Sequence, residues 1–78
     1  MTNTEEYDNI FIRTFDVKQD QLSVLEYQSI ENWDSVGHMS LIVTLEEAFG
    51  IMFEMDDILD FSSYSKGISI LRRYSVEM

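Results

Sequence analysis

Few residues in this chain are of a type that can do chemistry. His38 is the only histidine, Ser35 stands three positions before it, and there is no cysteine. A serine and a histidine at i and i+3 on one helix can meet. Nucleophilic catalysis also needs a third group to orient the base, and none is evident. His38 therefore reads as a surface residue in the first turn of a helix. Without cysteine there are no disulfides, thiolate zinc sites or iron–sulfur clusters. Gly37, Gly50 and Gly67 are scattered and make no phosphate-binding loop. Asp56, Asp57 and Asp60 lack the alternation and the glycine of a calcium-binding loop and read as a solvated face.

That leaves Asp34-Ser35. The pair stands before an apolar helical pattern, so Asp34 occupies the capping position and the Ser35 hydroxyl lies in the first turn. The helix dipole favours an anion held there by about 0.3–1 kcal/mol. Ser35 is thus a suitable acceptor for a phosphate-linked group. With no base beside it, it is a poor nucleophile, so another enzyme would have to attach that group.

The elements that must position these residues are helical. The chain has no proline and three glycines, which argues against an all-β fold rich in tight turns. Tyr7, Ile10, Phe11 and Phe15 lie on one face of a first helix over roughly Thr4–Phe15. Thr2 with Glu5 fits a capping box, and Thr4 is an alternative cap. Asp16–Asp34 follows neither helical nor strand period. It reads as a long connection pinned by Val17, Leu22, Leu25, Tyr27, Ile30 and Trp33, with Ser23 and Glu26 capping one short turn. Ser35–Phe49 is the strongest helix. Met39, Ile42, Leu45 and Phe49 form its core stripe, Leu41 flanks it, and Gly50 closes it. Val36, Ser40, Val43 and Glu47 make a second, mixed stripe on another face. Glu54–Phe61 is a short acidic turn or helix. Ser62 or Ser63 caps a last helix over roughly Tyr64–Tyr74, with Ile68 and Leu71 inward and Arg72 and Arg73 at its negative end. The expected fold is all-α: a small four-helix bundle of three main helices and a short third helix, with a long first loop. Residues 1–78 make one domain.

Charge narrows the partners. Fifteen acidic against five basic side chains give a net charge of −10 and a pI of about 4.1. Both halves are acidic, so no acidic tail accounts for it. Such a surface is repelled by nucleic-acid phosphates and by anionic membranes, and it suits basic protein partners. No apolar run is long enough to span a membrane, and the first residues resemble no targeting peptide. A cytoplasmic monomer is expected.

The stretch from Asn32 to Ile51 resembles the acyl carrier proteins. Asp34-Ser35-Val36 matches the family's Asp-Ser-Leu motif at the start of the second helix. Leu45-Glu46-Glu47-Ala48-Phe49 matches its Leu-Glu-Glu-x-Phe segment at the family spacing. Phe53–Leu71 fits the short third and final helices without a gap, and Phe15-x-Val17 fits the end of the first. The resemblance implies that a phosphopantetheinyl transferase, using Mg²⁺, attaches 4′-phosphopantetheine from coenzyme A to Ser35. The arm's thiol then carries acyl groups as thioesters, and the protein is a substrate of other enzymes and not itself an enzyme. It implies that Asp34 caps the helix and presents Ser35. It also implies that Val36, Ser40, Val43, Glu46 and Glu47 face acyl-, ketoacyl- or aminoacyl-transferring enzymes with basic docking patches. Val36 is accordingly expected to be exposed, and Met39 to give a core that can part around a chain. Gly37, Ser40 and Ala48 stand where carriers of primary fatty-acid synthesis often have acids. Trp33-Asp34-Ser35 and Gly37-His38 look more like stand-alone carriers of specialised pathways, such as polyketide synthesis, polysaccharide or lipid modification, or aminoacyl transfer. An aminoacyl or peptidyl carrier with the same arm, and an unmodified acidic helical adaptor, are the alternatives.

Overall fold

The first backbone amides of each helix need oxygen acceptors, and the sequence supplies them at three of the four starts. The computed structural model describes residues 1–78. Its first helix, α1, spans Asn3–Phe15. The Glu5 amide donates to Thr2 Oγ1 at 3.1 Å, and the Thr2 amide donates to Glu5 Oε1 at 3.1 Å. Thr2 is therefore the cap, and Thr4 lies inside the helix. Helix α2 spans Ser35–Phe49 behind an Asp34 cap and ends at Gly50 in the left-handed region. The short α3 spans Met55–Asp60. Helix α4 spans Tyr64–Arg73, with Ser63 accepting from the Lys66 amide at 3.0 Å; Ser63, not Ser62, is its cap. No strand forms, so the chain is all-helical, with a 3₁₀ turn over Gln19–Val24 inside the first connection. No helix is long and apolar enough to cross a membrane.

The core is built on α1. Tyr7, Ile10, Phe11 and Phe15 are buried as their spacing requires. Phe11 sits among Tyr7, Phe15, Trp33 and Tyr64 with ring centroids 4.8–5.7 Å away, distances at which edge and tilted aromatic pairs attract. The Tyr7 hydroxyl donates to the Tyr64 carbonyl at 2.7 Å, and the Tyr64 hydroxyl donates to Asp8. Burial pushes both phenols above their ordinary range, and for Tyr64 the bond to Asp8 adds to it.

Two helices are rotated from their expected facing. On α2 the buried residues are Leu41, Ile42 and Leu45, while Met39 is 47% exposed and Phe49 only partly covered. The core face is turned by about 50° toward Leu41, at 100° per residue. Both faces of this helix carry apolar residues, so packing against α1 decided between them. On α4, Ile70 joins Leu71 in the core and Ile68 is only partly covered. Gly67 explains the turn. A Cβ there would lie 2.2 Å from both Phe61 Cζ and the Tyr7 hydroxyl, so this face of α4 approaches the aromatic cluster directly.

The connection from Asp16 to Asp34 is held at defined points. Val17, Leu22, Leu25 and Trp33 are buried, whereas Tyr27 and Ile30 are not. The Tyr27 amide donates to the Ser62 carbonyl at 2.8 Å, and the Tyr64 amide to the Leu25 carbonyl at 3.0 Å. These bonds tie the loop to the segment between α3 and α4. The expected Ser23–Glu26 cap does not form. Ser29 instead takes the Glu26 amide at 3.0 Å and donates to the Glu26 carbonyl at 2.7 Å.

Candidate functional site

Ser35 is the first residue of α2 and is exposed. Asp34 Oδ1 accepts from the Gly37 amide at 2.8 Å, and the Asp34 carbonyl accepts from the His38 amide at 2.8 Å. The amides of Ser35 and Val36 have no partner within the protein. Two N–H groups without a protein acceptor thus lie at the positive end of a fifteen-residue helix, in the turn that carries the Ser35 hydroxyl.

The approach to this turn is braced. Gly37 packs under the loop so closely that a Cβ would lie 1.9 Å from the Asn32 carbonyl oxygen. Asn32 Nδ2 donates to the Phe15 carbonyl at 3.1 Å, which fixes the loop on the end of α1. Tyr27 Oη and Ser35 Oγ are 3.3 Å apart. Tyr27 also walls a half-open cleft of about 180 Å³, lined further by His38, Ile58, Leu59, Phe61 and Ser62.

His38 departs from its expected place at the surface. It is partly buried, and its ring lies 17° from parallel to Trp33 at 6.2 Å. Trp33 Nε1–H donates to His38 Nδ1 at 2.9 Å, and His38 Nε2 meets the Ile58 carbonyl at 2.8 Å. An indole N–H only donates and a carbonyl only accepts. The ring is therefore the neutral tautomer protonated at Nε2, with both nitrogens engaged. Neither nitrogen is directed at Ser35, so the two residues do not form a nucleophile–base pair. His38 keeps helical spacing with Leu41, Ile42, Leu45 and Phe49, and that spacing was the signal for its inward side. Nothing in the sequence singles out Tyr27 as the neighbour of Ser35.

The remaining site residues divide. Val36 is 79% exposed, and Val43, Ser40 and Glu47 are exposed on the same side of α2. Glu46 is partly buried, and its Oε2 accepts from the Phe53 amide at 2.8 Å, tying α2 to the segment before α3. Met39 is exposed beside Val36 and does not line the cleft. Met55 and Leu59 of α3 are exposed as well. No cluster of three or more His, Cys, Asp or Glu side chains is placed to hold a metal ion. Asp57 is engaged by Arg73 Nη2 at 2.8 Å and by the Tyr74 hydroxyl at 2.5 Å.

No family model, curated protein or solved structure matches this chain.

Proposed function

We propose that this protein is a discrete acyl carrier protein that bears 4′-phosphopantetheine on Ser35. The observation that carries the reading is the Ser35 hydroxyl, exposed at the start of α2, with Asp34 as its cap and two unpaired amides beside it. A phosphodiester on Ser35 Oγ would meet those amides and the dipole's positive end. The hydroxyl group of Tyr27 is within reach of the same oxygen. Ser35 and Asp34 are the residues that would hold and present the group. When bound, the group supplies a terminal thiol, which this chain lacks and which can carry an acyl cargo as a thioester.

In this reading the architecture is a four-helix bundle in which α1, α2 and α4 are the main helices and α3 the short one. The long first connection delivers the chain to Ser35. The protein is a cytoplasmic monomer and a substrate of a phosphopantetheinyl transferase and of acyl-, ketoacyl- or aminoacyl-transferring enzymes. Val36, Val43 and Ser40 form the centre of the docking face, and Glu47 supplies charge for a basic rim. Glu46 contributes less, because its carboxylate already accepts from Phe53. The departures at Gly37, Ser40 and Ala48 favour a specialised pathway over primary fatty-acid synthesis. One observation favours the adaptor alternative: Val36, Met39, Val43, Met55 and Leu59 expose apolar area around a surface that could bind a protein without any modification.

Intact-mass spectrometry tests the reading. The chain is incubated with coenzyme A, Mg²⁺ and a broad-specificity phosphopantetheinyl transferase, with Ser35→Ala beside it. Gain of one phosphopantetheine by the wild type alone is the expected result. No gain with this enzyme or with the transferases of the source cell would leave the adaptor.

A further inference from the structure

Helix α3 is the least anchored element of the fold. It has six residues, none of them buried. A helix so short has no independent stability, so its position depends on side chains from elsewhere. Before the helix the Glu54 amide donates to the Tyr74 hydroxyl at 2.9 Å, and within it Asp57 is held by Arg73 and Tyr74. These bonds tie α3 to the end of α4. At the next residue the Ile58 carbonyl, which has no acceptor role inside so short a helix, receives the His38 Nε2–H at 2.8 Å. That bond ties α3 to the first turn of α2, three residues from Ser35.

His38 is able to do this because its other nitrogen is taken. Trp33 is fully buried, and its indole N–H has Nδ1 of His38 as its acceptor. The Trp33 bond holds the proton on Nε2 and aims it at Ile58. The ring then contacts Tyr27 edge-on at 5.4 Å and Phe61 at 6.0 Å, both of which wall the cleft together with Ile58 and Leu59 of α3. Tyr27 is the residue whose hydroxyl meets Ser35.

We propose that His38 is a positioning residue, a neutral two-sided latch from Trp33 to Ile58 that sets α3 in register with the Ser35 turn. Release of the latch loosens the hold of α2 on α3, alters the cleft beside Ser35 and weakens recognition by an enzyme that must grip both helices. The latch itself stands on the hydrogen bonds; its effect on recognition rests on the carrier reading of Ser35.

Two substitutions separate the halves of the latch. In His38→Asn the amide oxygen replaces Nδ1, so the Trp33 bond survives and the Ile58 bond is lost. In His38→Gln the amide nitrogen replaces Nε2, so the Ile58 bond survives. Both lose the ring stacking, and His38→Gln also leaves the buried Trp33 N–H without its acceptor, a cost to the core that His38→Asn does not carry. Hydrogen exchange is read at the Asp57 and Ile58 amides, which bond to the Glu54 carbonyl at 3.0 and 3.1 Å. About fivefold faster exchange is expected in His38→Asn, from one hydrogen bond of ordinary strength. Near wild-type exchange at these amides is expected in His38→Gln, and the α1 amides of Ile10 and Phe11 are unchanged in His38→Asn, which keeps the Trp33 bond. For the transferase, KM rises severalfold in His38→Asn at constant kcat and returns in His38→Gln. In the unaltered protein, nitrogen-15 NMR of the imidazole shows a protonated Nε2 and an unprotonated Nδ1.

The opposite tautomer overturns the latch without any variant. Equal exchange in the two variants, or exchange accelerated alike in α1 and α3 of His38→Asn, reduces His38 to a packing residue and overturns it too. Altered α3 exchange in His38→Asn, in a protein that never accepts phosphopantetheine, leaves the latch standing and removes the carrier reading.

Discussion

Gly37→Ala is a test with a decisive sign. In an ordinary exposed helical turn, glycine to alanine stabilises by about 1 kcal/mol. At Gly37 the new Cβ would sit 1.9 Å from the Asn32 carbonyl oxygen, 3.1 Å from its carbon and 3.3 Å from Phe15 Cε1. Real Cβ atoms essentially never come within 3.0 Å of such a neighbour, so the Asn32 backbone must retreat by at least about 1 Å. It is not free to do so, because Asn32 is hydrogen-bonded to the Phe15 carbonyl and Trp33 behind it is fully buried. Forced shifts of this kind cost about 1–3 kcal/mol. Subtracting the helical gain of about 1 kcal/mol leaves a net loss of up to about 2 kcal/mol. For a domain of this size that is up to roughly 15 °C in Tm. The assay is thermal unfolding followed by circular dichroism, with Ser40→Ala as the control. Ser40 is exposed on the same helix, so its alanine variant gains a few tenths of a kcal/mol. If Gly37→Ala instead melts higher than the wild type, the loop does not rest on the Ser35 turn and the bracing of the site is wrong.

Asp34→Ala removes the oxygen that holds the Gly37 amide and is expected to cost about 1 kcal/mol, whereas Ser35→Ala stays within about 0.5 kcal/mol of wild type; urea unfolding of both compares them. Gly67→Ala drives a methyl group into Phe61 and the Tyr7 hydroxyl and is expected to destabilise by about 2–4 kcal/mol, the most of any glycine substitution here; the same unfolding assay ranks it. Tyr7 is held in its neutral form by burial, so its folded pKa lies above the unfolded one. Its share of stability is complete below pH ~10 and is lost as pH rises beyond that, at up to about 1.4 kcal/mol per pH unit. The Tyr7 phenol, followed by its own ring carbon-13 shift in NMR, should therefore ionise only as helical ellipticity is lost, and its ionisation in a fully helical protein would contradict the burial argument. Finally, with a net charge of −10, added salt or Mg²⁺ should raise Tm by screening self-repulsion; an unmoved Tm would show that the charges are too well spread to oppose folding.

Much of the scaffold was legible because it depends on local chemistry. Thr2 with Glu5, Asp34, Gly50 and Ser63 act within one or two turns of where they stand, so the helix limits follow to within a residue or two. The α1 stripe was equally plain, since Tyr7, Ile10, Phe11 and Phe15 leave no competing apolar face. Helix α2 was not, because Met39 and Leu41 both continue a helical stripe through Ile42 and Leu45. Periodicity alone gives them equal claim to the core.

The place of Ser35 at a helix start follows from two adjacent residues and the pattern after them, because a cap and a first-turn hydroxyl are neighbours in the chain. Its surroundings do not, because they arrive from a distance. Tyr27 reaches Ser35 only after the loop is tied to Ser62 and Tyr64, and His38 acquires an acceptor only when α3 brings the Ile58 carbonyl to it. Composition, charge, caps and one clean stripe specify an acidic helical chain that presents a serine at a helix start. Which face of α2 turns inward, why Gly37 and Gly67 must lack a side chain, and which nitrogen of His38 holds the proton are settled by contacts between segments tens of residues apart. Those contacts are set by shape and by pairing of the last polar groups, and neither quantity is carried by the order of residues within any single element.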